Sequence, residues 1–289
     1  MTLSARNDFF KGGIALAALS LCSIAAGAFF AFAAYPAFAA YPAVAAYPAA
    51  AASATLRPDG VFSTLVAEHA QAVALVPFFT VLAAAVYSFV SLVLIYRFFE
   101  NTQSPEILFF ALFAASLSFE FLRLLIPLAN VFPISTLYII SGARVLLFAR
   151  HFGLFALFTA SVYSAGLNAQ KQQNAFFIAT LAALVIAVRT PIDGAVWDST
   201  LMPHSGYRSM FALVEAGIAA VTVATFLISA HTKGSRTYVR IAAGSLMALA
   251  GRNMLIGADT WITPLPGFLL LAAGTWLIAS HLRREYLWM

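Results

Sequence analysis

Residues 33–50 read AAYPAFAAYPAVAAYPAA. The stretch is apolar enough to enter a membrane, yet proline recurs at positions 36, 42 and 48. A proline inside a helix removes one backbone hydrogen bond and clashes with the preceding turn, at a cost of about 3 kcal/mol each. Hydrocarbon offers no partner to the freed backbone groups. The AAYPAx hexad is therefore not a spanning helix. It is expected to be a low-complexity, extended, polyproline-like segment at the external side, with Tyr35, Tyr41 and Tyr47 suited to the outer membrane interface. It reads as a spacer, with a proline-rich partner-binding segment as the alternative. Removing it from any span fixes how the chain on either side is threaded.

Composition sets the class. Of the 289 residues, 62% are hydrophobic and 9% are charged, with a mean hydropathy of +0.90. An average globular chain is roughly 45–50% apolar and about 25% charged. So few charges cannot cover a soluble fold of this length, so lipid must be the solvent for most of it. At about 20 residues per span, apolar runs give eight candidates: 12–34, 73–97, 107–128, 134–163, 176–190, 209–230, 240–258 and 264–282. Breaker residues separate them, among them Asn101 to Pro105, Pro133, Asn168 to Asn174, Pro191 to Gly206 and Thr263 to Gly267. The expected fold is an all-α integral membrane protein, one helical transmembrane domain over residues 1–289. If residues 1–33 or 1–39 are a cleaved signal, as Arg6, Lys11 and the A-x-A patterns at 31–33 and 37–39 allow, seven spans remain. The apolar run at 12–34 exceeds the usual signal core of about 7–15 residues and favours a retained helix. The lone Cys22 excludes an internal disulfide.

The net charge of +5 arises from threading rather than from nucleic acid. With the N-terminus inside, Arg6, Lys11, Arg97, Lys171, Lys233, Arg236, Arg240, Arg283 and Arg284 fall on the cytoplasmic side. Arg57, Arg189 and Arg208 fall outside. This is the positive-inside asymmetry. It predicts a bacterial-type plasma (inner) membrane location, multi-pass, with the C-terminus cytoplasmic. Trp197, Trp261, Tyr207, Tyr286 and Trp288 sit near predicted span ends, where amphipathic rings favour the headgroup region.

The candidate working residues are those that do not belong in hydrocarbon. Glu120 and Arg123 lie in the third span, Arg144, Arg150 and His151 in the fourth, Glu215 in the sixth, and Arg252 with Asn253 in the seventh. An ionisable group at the bilayer centre costs at least ~2.5–3.5 kcal/mol, so such groups face the bundle interior and pair. Glu120 and Arg123, three apart, share a helical face. The short turn around Val131–Pro133 makes spans three and four antiparallel neighbours, which predicts similar depths for Glu120 and Arg144. Glu215 and Arg252 are expected in the outer halves of adjacent helices. Two carboxylates face four arginines and one histidine, so some arginines need backbone carbonyls, an interface reached by snorkelling, or an anionic ligand. Arg150 is expected to escape structurally, in a span longer than one crossing, and Arg123 and Arg252 to reach the outer headgroups. His151, among Phe148, Phe152 and Phe155, reads as a hydrogen-bonded interior residue, with proton carriage or haem ligation as the alternatives; no second intramembrane histidine would complete a bis-histidine haem pair.

Other features have plainer readings. Glu68, His69, Asp193, Asp198 and His204 lack metal-ligand spacing and read as loop residues. Lys233, Arg236 and Arg240 can hold anionic lipid headgroups or a cytoplasmic partner, although topology alone explains them. Gly244-Ser245 and Ser164-Ala165-Gly166 read as close helix packing. The sequence has no H-E-x-x-H, G-x-S-x-G or G-x-x-x-x-G-K motif, and no cofactor is predicted. Two functions follow. The first is a non-enzymatic sensor, transporter or membrane-complex subunit whose Glu/Arg/His network binds an anionic or amphipathic ligand. Its partners would be membrane lipids, an anionic small molecule or headgroup, and a partner membrane subunit. The second is a membrane-embedded enzyme acting on a lipid or isoprenoid phosphate, with arginines clamping phosphate and Glu120 or His151 moving a proton.

Overall fold

The computed structural model describes residues 3–33, 60–99, 104–132 and 134–287. The AAYPAx repeat at 33–50 lies outside them apart from its first residue, as do Arg57, Asp59 and Trp288. The chain runs α1 (Leu3–Ala33), α2 (Gly60–Phe99), α3 (Pro105–Ser116), a 3₁₀ segment (Leu117–Leu124) and α4 (Leu125–Val131). Then follow α5 (Thr136–Ser164), a short 3₁₀ turn (Ala169–Lys171), α6 (Gln172–Arg189), β1 (Ile192–Trp197), β2 (Pro203–Ser205), α7 (Arg208–Lys233), α8 (Arg236–Ile256) and α9 (Pro264–Leu287). The fold is all-α apart from one antiparallel hairpin, β1–β2.

Seven helical stretches are long and apolar enough to cross a membrane: Ser4–Ala26, Leu75–Phe99, Pro105–Ala129, Thr136–Ser164, Ala169–Arg189, Arg208–Lys233 and Pro264–Arg284. The eighth expected span, 240–258, falls largely within helix α8 (Arg236–Ile256), which is long enough to cross but, with Arg236, Arg240 and Arg252, less apolar than the seven. Large apolar side chains such as Phe177, Ile178, Leu213 and Leu269 are exposed on the outer faces of the bundle, a distribution suited to an apolar surrounding.

Helix α3 and its 3₁₀ continuation form the axis of the bundle, with most of that stretch buried. Helices α1, α2 and α5 pack on it, α7 and α8 follow α5 round, and α9 closes back on α2. Helix α6 lies against α5. Two local causes produce the 3₁₀ tightening. The Ser116 and Ser118 hydroxyls donate to the carbonyls three residues back, Phe113 and Ala115, at 2.7 Å each. Such side-chain bonds compete with the helical ladder. Downstream, Pro127 has no N–H for the Arg123 carbonyl and its ring crowds that same group.

The α3–α5 contact is set by Gly153, where a Cβ would run into the Ser116 hydroxyl. One turn along, the same close approach brings position 120 opposite position 150. The α8–α9 seam is tighter. Gly244 faces Gly274 and Gly251 faces Gly267, so that backbone meets backbone; a Cβ on Gly274 would sit 2.6 Å from the Ala248 nitrogen. Small residues at seven-residue spacing on both helices permit this approach.

We expect Gly251→Leu to destabilise the purified protein by roughly 3 kcal/mol or more, because backbone cannot move aside as a side chain can. Gly217→Leu, with open space around the built Cβ, should leave the melting temperature unchanged. Equal melting temperatures for the two variants in detergent would contradict the seam.

Candidate functional site

At the hairpin end of the bundle, the polar residues form a connected set. Eight residues of 3₁₀ helix carry Glu120 and Arg123, and side chains three apart eclipse in that geometry. The two form an ion pair of 3.5 Å, both almost fully buried. Glu120 also receives a two-pronged contact from Arg150, with Nε donating to Oε1 and Nη2 to Oε2 at 2.8 Å each. This bidentate geometry is the strongest available to a carboxylate and guanidinium.

The partner of Glu120 is therefore Arg150 and not Arg144, and two expectations are corrected together. Arg150 does not escape the network; it anchors it. Arg144 is exposed on the outer face of α5 and joins no ion pair among the described residues. Six residues separate the two arginines, which at about 3.6 residues per turn puts them on different sides of the helix. A signal for the correct partner was present. Ser135, the N-cap of α5, lies fifteen residues after Glu120 and fifteen before Arg150. In antiparallel helices, positions equidistant from the turn lie at equal depth.

Arg123 and Arg252 do not reach outward either; both are at most 2% exposed. Arg123 turns into the hairpin, where Nε donates to the Thr200 carbonyl at 2.7 Å and Nη2 donates to the same oxygen. Its Nη1 also lies 3.5 Å from the Thr80 hydroxyl on α2. Arg252 pairs with Glu215 at 3.7 Å, as the sequence suggests. It also donates to the Arg150 carbonyl and to the Asn253 side chain, at 3.0 Å each. Backbone carbonyls thus take up the excess of buried arginine over carboxylate.

The hairpin is held by its own turn. The Asp198 Oδ1 accepts from the Thr200 N–H, the Thr200 hydroxyl and the Met202 N–H, at 3.1, 2.7 and 3.0 Å. Its Oδ2 accepts from Arg208 at the start of α7. Ser199 donates to Asp259 at 2.6 Å, tying the turn to the segment between α8 and α9. Residues 191–206 read as a loop in the sequence, and the strand pairing of Asp193 with His204 is an addition by the structure.

Beneath the hairpin lies a cavity of about 170 Å³. Arg150, His151 and Glu215 contribute polar groups from the helices, and His204, Arg208 and Asp259 from the rim. His151 is buried, its Nδ1 2.9 Å from the Leu147 carbonyl, an oxygen that can only accept. That hydrogen bond requires the proton on Nδ1; in the neutral ring Nε2 is then a lone-pair acceptor, and Nε2 has no hydrogen-bond partner. The ring stands edge-on to Phe211, 5.5 Å between centroids. Arg150 spends Nε and Nη2 on Glu120, leaving Nη1 directed elsewhere. Glu120, Arg123 and Arg252 do not line the cavity; they support the residues that do. No cluster of three or more metal-ligating side chains occurs among the described residues.

No family model matches the chain, and no solved structure matches it. It is similar to an uncharacterized protein of Treponema pallidum, 24% identical over 241 residues, an alignment covering 66% of this chain and 70% of that protein.

Arg150→Met should cost roughly 3–5 kcal/mol, since it leaves a buried carboxylate with one imperfect partner. Arg144→Met should stay within about 0.5 kcal/mol, as surface changes do. Thermal unfolding of both variants in the same detergent checks the assignment, which fails if Arg144→Met is the more damaging.

Proposed function

We propose that the protein is a multi-pass plasma (inner) membrane protein that binds a small ligand bearing an anionic group in the cavity under the hairpin. The observation that carries this reading is the Arg150 guanidinium in the lining of a polar pocket, with Nε and Nη2 bonded to Glu120 and no described hydrogen bond to Nη1. The bidentate contact to Glu120 locks the Arg150 guanidinium in place and leaves its remaining edge available to a carboxylate or phosphate oxygen. Arg208, ion-paired with Asp198, adds a second guanidinium to the lining. A pre-fixed cation loses little freedom on binding, which favours affinity.

In this reading the hairpin end faces outside and both chain ends face the cytosol. The basic residues at the opposite end, among them Lys233, Arg236, Arg240, Arg283 and Arg284, support that orientation. Arg144 then snorkels to the outer interface. The role is that of a sensor, transporter or membrane-complex subunit. The alternative of a lipid-phosphate enzyme is less well supported, because Glu120 is committed to two arginines and lies outside the cavity.

In a Cys22→Ser background, we expect His204→Cys in intact cells to react with a membrane-impermeant maleimide, and Thr232→Cys to react only after permeabilisation. The reverse pattern would overturn the orientation. Native mass spectrometry of the full chain should show a small co-purified anion that is lost once the cysteine at position 204 carries a bulky maleimide. An anion retained after that modification would place the ligand elsewhere.

A further inference from the structure

We infer that the ligand of this cavity is a small zwitterion with an apolar side chain, of the α-amino-acid type, rather than a simple anion. The inference rests on the proposed anion site and adds the other groups that line the same pocket. The cavity is not a basic pocket. Three carboxylates line it, Asp198, Glu215 and Asp259, against Arg150 and Arg208.

These acids are not equally engaged. Asp198 is fully used by its own turn and by Arg208. Glu215 is different: its one ion pair, to Arg252, is loose at 3.7 Å, and its side chain, 24% exposed, is part of the cavity lining. It holds negative charge that a ligand cation can satisfy. His151 Nε2 adds a buried acceptor lone pair, which a bare anion would repel and an N–H donor would satisfy. The lining therefore offers a guanidinium edge together with a carboxylate and an imidazole acceptor. A ligand with only an anionic end would answer the guanidinium and leave the buried His151 Nε2 without a partner, which is costly.

The rest of the lining sets the third feature. Leu147, Met202, Phe211 and Ile256 form apolar wall between the polar groups. A volume of about 170 Å³ suits a molecule with few heavy atoms. An α-carboxylate on Arg150, an α-ammonium between Glu215 and His151, and a branched aliphatic side chain against Phe211 and Ile256 satisfy all three.

The test uses the full-length protein in detergent micelles and three probes: L-leucine, 4-methylpentanoate without the ammonium, and 3-methylbutylamine without the carboxylate. Isothermal titration should give leucine at least tenfold tighter binding than either analogue. Glu215→Gln, if folded by circular dichroism and size exclusion, should bring leucine and 4-methylpentanoate to equal affinity. Equal affinity for those two in the unmodified protein would overturn the zwitterion and leave the anion site standing. The amine binding as well as leucine, or no probe binding, would overturn both.

Discussion

A carboxylate buried in an apolar bundle needs fixed positive charge around it, and Glu120 has it on two sides. Arg123 comes from the next turn of the same 3₁₀ segment, and Arg150 arrives from the antiparallel helix with both prongs of its guanidinium. Removing either charge from water is expensive, and only close, multiply hydrogen-bonded geometry offsets that cost. The bundle axis is therefore pinned in rotation and in depth at this level. What packs on α3 and α5 must respect that register.

The arrangement passes outward through the arginines. Arg123 holds the Thr200 carbonyl, so the hairpin is fastened to the bundle axis across 77 residues of sequence. Arg252 holds the Arg150 carbonyl and Glu215, so α7 and α8 are tied to α5. The hairpin, the cavity beneath it and the 3₁₀ segment thus form one connected polar unit. A change at the cavity would reach α3 through Arg150 and through the hairpin at once. Mid-helix 3₁₀ structure often coincides with such functional positions.

The opposite side of the molecule relies on shape rather than charge. The α8–α9 seam brings backbones together through Gly244, Gly251, Gly267 and Gly274, with apolar contacts such as Leu271 and Ile278 filling the flanks. Close packing of this kind accommodates α8 despite its arginines, because Arg252 points into the polar unit and Arg240 meets His281 at 3.2 Å. Helix α8 is thus polar where it meets its neighbours' polar groups and small where it meets α9.

The sequence alone determined what is local or additive. Hydropathy summed over some twenty residues placed a candidate span on each long helix, α8 included, and three-residue spacing paired Glu120 with Arg123. A short turn made the spans carrying Glu120 and Arg150 neighbours, and breaker residues placed the connections. Which arginine meets Glu120 depends on the rotation of α5 about its own axis, and that is fixed by the Gly153–Ser116 approach and the packing around it. Hydropathy is blind to rotation, which is why Arg144 and Arg150 looked alike as intramembrane charges. The Thr200–Arg123 contact and the cavity under the hairpin join segments far apart in the chain, through backbone oxygens that any residue type could supply. No side-chain pattern records such a contact, so only the folded arrangement could create it.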